Sequence, residues 1–296
     1  MTIKQLDTLI ARIRANPQPE NPTVEFQRTR AEDRAKGLGS VPEATVENVN
    51  AGGVPAAWIA APGIDDRRAV LYLHGGGYMF GSLTSHKRIA YDLSAASAAR
   101  VLLLDYRLAP EHPFPAAFED SVKAWHWLTR QGFDPKGLAM AGDSAGGGLV
   151  IAAMVKLRSE SAQLPVCGAL VSPWVDLEAT SDSLVTRSAR DPMVQKRLLL
   201  WMTKLYLNGM DARDPYASPV HADLRGLPPI LVQAGTGETL LDDAIRIAEK
   251  LHAAGVKVKL SIWPNMIHVW PMFTPFLSEG REACAEIGEF IKAKSL

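Results

Sequence analysis

The chain has 296 residues, of which 47% are hydrophobic, enough for one large α/β domain or two small ones. Lysine plus arginine equals aspartate plus glutamate at 32 each, so net charge gives no reason to expect a nucleic acid or an anionic membrane as partner. No apolar run is long enough to span a membrane. Charged residues interrupt the first 20 positions, which therefore lack the apolar core of a signal peptide. A cytoplasmic protein is expected.

The first segment stands outside the regular pattern of the later chain. Apolar residues recur at helical spacing over 6–13 and predict an amphipathic helix. The proline-rich run 16–22 ends that helix, and a polar, charged stretch follows over 25–36.

From residue 45 onwards, strand-like and helix-like runs alternate, after an initial pair of strands that flank Gly52-Gly53 and predict a hairpin. The predicted strands cover 45–49, 55–60, 69–73, 101–104, 138–141, 166–171, 230–234 and 256–262. The predicted helices cover 86–98, 116–129, 147–158, 240–253 and 279–292. This alternation predicts an α/β fold with a mostly parallel central sheet and helices on both faces, and the apolar strands suggest burial on both sides.

One stretch, 185–221, does not fit the alternation and contains an apolar, helix-like piece at 193–207. An insertion at the carboxyl edge of a parallel sheet is placed to cover an active site, so we expect this stretch to do so.

The two cysteines, Cys167 and Cys284, have apolar neighbours and no partner at metal-ligand spacing. They predict buried free thiols in a reducing compartment.

A strand-like run ends directly in His74-Gly75-Gly76-Gly77. By average composition this motif arises by chance in roughly two chains per thousand of this length. A glycine loop in this place can turn its backbone N–H groups towards a developing negative oxygen. The amides of Gly76 and Gly77 are therefore candidates for an oxyanion hole.

A second strand-like run leads into Gly142-Asp143-Ser144-Ala145-Gly146, a Gly-x-Ser-x-Gly motif that occurs by chance in about one chain in ten. This motif exposes a serine on a tight strand-to-helix turn. Ser144 is the predicted nucleophile, and the amide of Ala145 is the third predicted oxyanion donor. Together the two motifs predict acyl transfer.

A serine nucleophile needs a histidine base, which in α/β-hydrolases lies after the last strand. Three histidines follow Ser144: His221 precedes the strand that should carry the acid, and His252 falls inside a predicted helix. His268 lies on a loop after the last predicted strand and is the expected base.

The acid should lie on the turn after the predicted strand 230–234. Three carboxylates are available there, at Glu238, Asp242 and Asp243. Glu238 sits where the strand ends and is the first choice. Asp242 remains an alternative, since both aspartates also suit the first turn of a helix.

These motifs resemble those of the hormone-sensitive lipase family of carboxylesterases, which has the α/β-hydrolase fold. The resemblance covers residues 69–268 and is carried by the stretches 74–78, 105–116, 142–147 and 172–177. It departs at the acid, where the family usually has aspartate in Asp-x-Leu-x-Asp and this chain has Glu238. The resemblance implies a helical cap formed by an N-terminal cap segment, 1–44, and a cap insertion, 185–221. The α/β-hydrolase core would then comprise 45–184 and 222–296.

The expected function is that of a serine carboxylesterase hydrolysing short-chain acyl esters through an acyl-enzyme, with the catalytic residues Ser144, Glu238 and His268. No metal and no cofactor is expected, and the partner is a small-molecule ester rather than a nucleic acid or a membrane, with a homodimer as a possible assembly. An amidase, lactonase or deacetylase would use the same residues. A non-catalytic receptor of the same fold is a further alternative.

Overall fold

The computed structural model describes residues 2–41 and 43–295. An eight-stranded sheet runs through it. The strands are β1 (Thr45–Asn50), β2 (Pro55–Ala60), β3 (Ala69–Leu73), β4 (Arg100–Leu104), β5 (Leu138–Asp143), β6 (Gly168–Val171), β7 (Ile230–Gly235) and β8 (Val258–Trp263). Their order in the sheet is β1-β2-β4-β3-β5-β6-β7-β8, with antiparallel pairing of β1 to β2 and of β2 to β4 and parallel pairing elsewhere. The predicted hairpin and the mostly parallel sheet are confirmed.

Nine α-helices are present among the described residues. They are α1 (Thr2–Arg14), α2 (Val24–Gly37), α3 (Lys87–Ser97), α4 (Ala116–Leu128), α5 (Ala145–Ser159), α6 (Ser183–Thr186), α7 (Lys196–Leu207), α8 (Leu241–Ala253) and α9 (Ser278–Lys292). Within the described ranges, no helix combines the length and the apolar composition needed to cross a bilayer.

The sheet separates two hydrophobic cores because side chains alternate between its faces. On β3, Leu71 and Leu73 point to the core shared with α4, α5 and α8, whereas Val70 and Tyr72 point to the core shared with α3 and α9. Helices therefore cover both faces, as the alternation predicts.

The expectation of two-sided burial is wrong for β8, whose residues are half-buried or exposed. This strand is at the edge of the sheet and pairs with β7 alone. Its lysine, Lys259, forms an ion pair with Glu286 at 2.9 Å. Charged residues on an edge strand are a usual protection against pairing with other chains.

The polar stretch after the proline-rich run forms α2, which the apolar periodicity does not reveal. The side chain of Thr23 caps this helix by accepting a hydrogen bond from the Phe26 amide at 3.1 Å. Arg28 attaches the helix to the rest of the molecule, because both of its Nη atoms donate to Glu111 at 2.7 Å and its Nε donates to the Met79 carbonyl at 2.9 Å. Tertiary contacts of this kind, rather than an apolar stripe, fix α2.

Helix α7 lies over the carboxyl edge of the sheet. Its Tyr206 ring stacks on Tyr78 at 3.8 Å between centroids, and its Thr203 hydroxyl donates to the Leu177 carbonyl at 3.2 Å. The helix within 185–221 therefore packs against the loop that follows β3.

Candidate active site

Ser144 occupies the turn between β5 and α5. Its φ of 51° and ψ of −121° are unusual for a residue with a side chain, and such strain is found where a function requires it. The Ser144 amide donates to the Val171 carbonyl at 2.9 Å, which ties the turn to β6. A glycine is required at position 146, because a Cβ there would lie 1.9 Å from the Leu73 carbonyl oxygen.

His268 lies on the loop after β8, and its Nε2 is 3.0 Å from Ser144 Oγ. Its Nδ1 is 2.8 Å from Glu238 Oε2. Since an ionised carboxylate only accepts hydrogen bonds, Nδ1 carries the proton and donates to Glu238. Nε2 is then the acceptor for the serine hydroxyl, as a general base requires.

Glu238 lies on the turn after β7 and is fully buried. Its Oε1 accepts a hydrogen bond from the Gly235 amide at 2.6 Å, which leaves Oε2 for the imidazole. Asp242 instead accepts from the Ser183 amide at 2.7 Å, and Asp243 accepts from the Val175 amide at 3.1 Å. The structure thus brings Glu238 to the histidine and commits both aspartates to other groups.

The surroundings of His268 act on its pKa in opposite directions. Burial lowers it, but the hydrogen bond to Glu238 and the charge of that carboxylate outweigh burial, with smaller contributions from Asp191 and Asp143. The net pKa is above the ordinary value for histidine. The site therefore favours the imidazolium that forms when the serine loses its proton.

The glycine loop after β3 lies beside the serine. Gly76 has a φ of +116°, and a Cβ there would lie 2.0 Å from the Phe80 carbonyl oxygen. The amides of Gly76, Gly77 and Ala145 donate to no other group among the described residues. These three amides are therefore available to a substrate oxygen.

Sequence reasoning did not identify the network around Asp143, the residue before the serine. This buried carboxylate accepts hydrogen bonds from the Gly75 amide and from the Tyr72 hydroxyl, both at 2.9 Å, and lies 3.6 Å from His86 Nε2. Burial acts to raise its pKa, but the contacts with His86 and the hydrogen bond from Tyr72, with a smaller contribution from His74, outweigh burial, so the net pKa is lowered. Asp143 therefore stays ionised and joins the glycine loop to the end of β5. Its place in the elbow motif was the available signal.

A cavity of about 100 Å³ adjoins Ser144 and His268. Its apolar lining comes largely from the segment before α7, from α7 and from the loop after His268, including Val194, Leu199, Met202, Met272 and Phe273. Its polar lining includes Gln27, Arg30 and Arg34 of α2, which no sequence motif singles out.

One group could offer several ligands to a metal ion. Asp176, Glu178 and His221 have ligand atoms within 4.8 Å of one another, among the residues that the structure describes. Asp176 is already paired with Arg246 at 2.8 Å, and His221 contacts Glu178 at 3.1 Å. These contacts satisfy the group without an ion.

Comparison with known proteins agrees with this geometry. A family model described as the alpha/beta hydrolase fold matches residues 70–272. The fold and the serine site together define the protein as an α/β-hydrolase.

Proteins with similar sequences indicate which kind of α/β-hydrolase this is. An acetyl-hydrolase of Streptomyces hygroscopicus is 40% identical over 292 residues, which cover 99% of this chain and 97% of that protein. An esterase of Acinetobacter venetianus is 36% identical over 228 residues, covering 77% and 75% of the two chains.

Similar solved structures identify the family more closely. The crystal structure of an esterase from the bacterial hormone-sensitive lipase family has a TM-score of 0.96 and 46% identity, with 98% of each chain covered. A second esterase, soaked with p-nitrophenyl butyrate, has a TM-score of 0.95 and 45% identity, again with 98% of each chain covered. The chain belongs to the bacterial hormone-sensitive lipase family and is a serine carboxylesterase that acts on small-molecule esters, which confirms the family predicted from its motifs.

Proposed function

We propose that Ser144, His268 and Glu238 form a catalytic triad that hydrolyses short-chain acyl esters through an acyl-enzyme. One observation carries this proposal: two consecutive hydrogen bonds, of 3.0 and 2.8 Å, link the serine hydroxyl to the imidazole and the imidazole to a buried carboxylate. The same contacts argue against the non-catalytic receptor.

The reaction has two halves. Ser144 Oγ bonds to the ester carbonyl carbon while its proton moves to His268 Nε2, and Glu238 stabilises the imidazolium. The carbonyl oxygen becomes an oxyanion that accepts hydrogen bonds from Gly76, Gly77 and Ala145, where one such donor contributes about 3–4 kcal/mol. The carbon–oxygen bond then breaks, and the leaving alcohol takes the proton from Nε2.

Water completes the cycle. His268 Nε2 takes a proton from water as its oxygen attacks the acyl carbon, and the same amides hold the second oxyanion. Collapse returns the proton to Ser144 Oγ and releases the carboxylic acid.

We also propose that 1–44 and 185–221 act as a cap over a core of 45–184 and 222–296. Met202 of α7 packs against Gly77 of the glycine loop, and α2 lines the same cavity from the opposite segment. A cavity enclosed in this way supports short acyl groups. The similar proteins include an acetyl-hydrolase and one whose crystal was soaked with p-nitrophenyl butyrate, and both acyl groups are short. The homodimer and the cytoplasmic location stay predictions.

Replacing Ser144 tests the proposal. The Ser144→Ala variant should lose hydrolysis of p-nitrophenyl butyrate by on the order of a million-fold, because the residual rate would come from binding and the oxyanion donors alone. A fluorophosphonate should label the native chain at Ser144 and leave the variant unlabelled. A folded variant that still turns over at a substantial rate would rule out this nucleophile.

A further inference from the structure

Two arginines of α2 face the active-site cavity. Arg30 and Arg34 are one helical turn apart, so their side chains lie on the same side of the helix. Both line the cavity that contains Ser144 and His268.

Neither arginine has an acidic partner among the described residues. Arg30 Nη2 donates to the Asn16 carbonyl at 2.6 Å, but Arg30 Nη1 is buried and has no hydrogen-bond partner. The Arg34 side chain makes no hydrogen bond or ion pair with any residue that the structure describes. Other cations of the same helix differ, since Arg28 pairs with Glu111 at 2.7 Å and Lys36 pairs with Asp33 at 2.8 Å.

This arrangement is unfavourable for the protein alone. Burial lowers the pKa of Arg30, and burial together with the charge of Arg30 lowers the pKa of Arg34 to about 10, so Arg34 stays charged at neutral pH. A guanidinium starts from a pKa above about 12, so Arg30 is also a cation. Like charges one turn apart destabilise a helix, and a buried donor without an acceptor costs further free energy. An anion placed between the guanidinium groups would relieve both costs.

The two arginines also separate two cavities. A second cavity, of about 550 Å³, lies between α1, α2 and the loop at 273–276, and it shares Arg30, Arg34 and Phe273 with the catalytic cavity. A substrate that extends beyond its scissile ester towards α2 would therefore meet the guanidinium groups first.

We infer that this esterase prefers esters with a second, anionic group, a carboxylate or a phosphate, which Arg30 and Arg34 bind as specificity-determining residues. The inference rests on the proposed function, since the anion is recognised in the cavity where Ser144 would act. A guanidinium presents its donors as a planar fork that matches the oxygens of either group.

Matched pairs of esters test this preference and its source. Monoethyl succinate against ethyl butyrate places a carboxylate on the acyl side, and 3-acetoxypropanoate against propyl acetate places one on the alcohol side. The phosphate arm is 3-acetoxypropyl phosphate against propyl acetate. For each pair, the ratio of kcat/KM for the anionic ester to that for the neutral ester is measured in the native enzyme, Arg30→Gln, Arg34→Gln and Lys36→Gln.

For at least one pair, the ratio should fall by about tenfold or more in both arginine variants, mainly through KM, since a hydrogen bond to a charged group is usually worth that much. The Lys36→Gln variant loses the same charge from the same helix but faces solvent, and it should keep the native ratio. Arg34→Gln should melt at or above the native Tm, because it removes a like-charge repulsion and no hydrogen bond of a described residue. Arg30→Gln also loses the hydrogen bond to the Asn16 carbonyl, so its Tm is measured as a check of folding. Ratios unchanged in every pair, or equal losses on neutral and anionic esters, would overturn the inference.

Binding without turnover separates this inference from the reaction itself. In a Ser144→Ala background, the favoured anionic ester should raise Tm, and adding Arg34→Gln should abolish that rise. If the native enzyme hydrolyses no ester of any pair, neutral or anionic, the proposed function fails. If neutral esters are hydrolysed but no anionic ester depends on the arginines, the specificity inference alone fails.

Discussion

The carboxylate of Glu238 is held at both oxygens. One accepts from the Gly235 amide at 2.6 Å and the other from His268 Nδ1 at 2.8 Å. This double attachment explains how a side chain one methylene longer than aspartate can orient the imidazole. The turn after β7 positions the Glu238 backbone, and the Gly235 amide of that turn also holds the carboxylate itself.

The two candidate acids should respond very differently to neutral substitution. Glu238→Gln should lower kcat by at least about 10³-fold, because an amide favours the wrong imidazole tautomer. Asp242→Asn is the matched control, since its carboxylate contacts the Ser183 amide rather than the histidine, and it should lower kcat far less. Steady-state hydrolysis of p-nitrophenyl butyrate, with Tm as a check of folding, measures both. The reverse ranking would assign the acid to Asp242.

The raised pKa of His268 predicts the acid limb of activity. Only the neutral imidazole can take the serine proton, so kcat/KM should fall as pH drops through a midpoint above the usual value of about 6.5. Glu238→Gln should move the midpoint down, because it removes the negative charge that favours the imidazolium. A native midpoint at or below about 6.5 would contradict the raised pKa.

The same shift has a sign for stability. A folded-state pKa above the unfolded value means that the Glu238–His268 contact stabilises the protonated protein. That contribution is fully present below about pH 6.5 and is lost as pH rises through the folded-state pKa. Catalysis is therefore fastest above the folded-state pKa of His268, whereas this contribution to stability is largest below it.

At the scale of elements, neighbouring strands deliver the two halves of the site. Strands β3 and β5 pair in parallel, so the glycine loop and the serine turn leave the sheet side by side. Asp143 bridges them through the Gly75 amide at 2.9 Å. The position of the glycine loop, which carries two of the proposed oxyanion donors, therefore depends on the Asp143 carboxylate.

Asp143→Asn tests this bridge. Both donors already share Oδ1, and Oδ2 faces His86 Nε2 at 3.6 Å. An amide removes the negative charge that strengthens the bonds to Gly75 and Tyr72, and one of its two positions becomes an NH2 donor that cannot accept. We expect kcat to fall by about tenfold or more with little change in KM, and the free energy of unfolding to fall by about 1–3 kcal/mol. Enzyme kinetics and urea unfolding provide the two readouts.

Tyr72→Phe is the control for that variant. It removes the other hydrogen bond to the same carboxylate at 2.9 Å and leaves the Gly75 contact in place. This variant should lose stability with a smaller loss of kcat. A native kcat in Asp143→Asn would show that the glycine loop holds its position without the bridge.

At the scale of the whole molecule, the two segments that we propose as a cap both line the cavity. The rate should be highest for acyl chains of roughly four to six carbons, because each buried methylene adds about 0.8 kcal/mol only while space remains. Longer chains should react more slowly, since they displace the carbonyl from the serine. Values of kcat/KM from acetate to palmitate esters measure this profile. A steady rise through about twelve carbons would indicate a true lipase.

Met202 offers a variant for the same measurement. Its side chain lines the cavity and packs against Gly77, so Met202→Ala should admit longer chains and move the optimum upwards. An unchanged optimum would place the acyl chain elsewhere.

Much of this architecture could be predicted because it rests on local patterns. The strands that carry the site are apolar runs bounded by glycine, and the order of serine, acid and histidine selects His268 by position. The edge strand β8 and the helix α2 could not be predicted in the same way. The exposure of β8 follows from its place in the sheet, and α2 depends on a cap and on the distant contact from Arg28 to Glu111.

The triad acid and the cavity lining also depend on tertiary contacts that local sequence patterns do not predict. Three neighbouring carboxylates satisfied the spacing rule, and only tertiary contacts distinguish Glu238 from the aspartates committed to Ser183 and Val175. In the sequence, Arg30 and Arg34 are two cations of a polar, charged stretch with no helical apolar pattern. Their importance comes from what packs around them.

Catalysis also reports when this chain has finished folding. His268 contacts a serine 124 positions earlier and a glutamate 30 positions earlier, and the three residues follow different strands of the sheet. Contacts so distant in sequence are late and slow to form, because chain closure costs entropy before packing repays it. A partly assembled chain can hold native helices and still be inert towards esters. The delay between the recovery of helical circular dichroism and the recovery of turnover after denaturation therefore measures how late these three strands assemble.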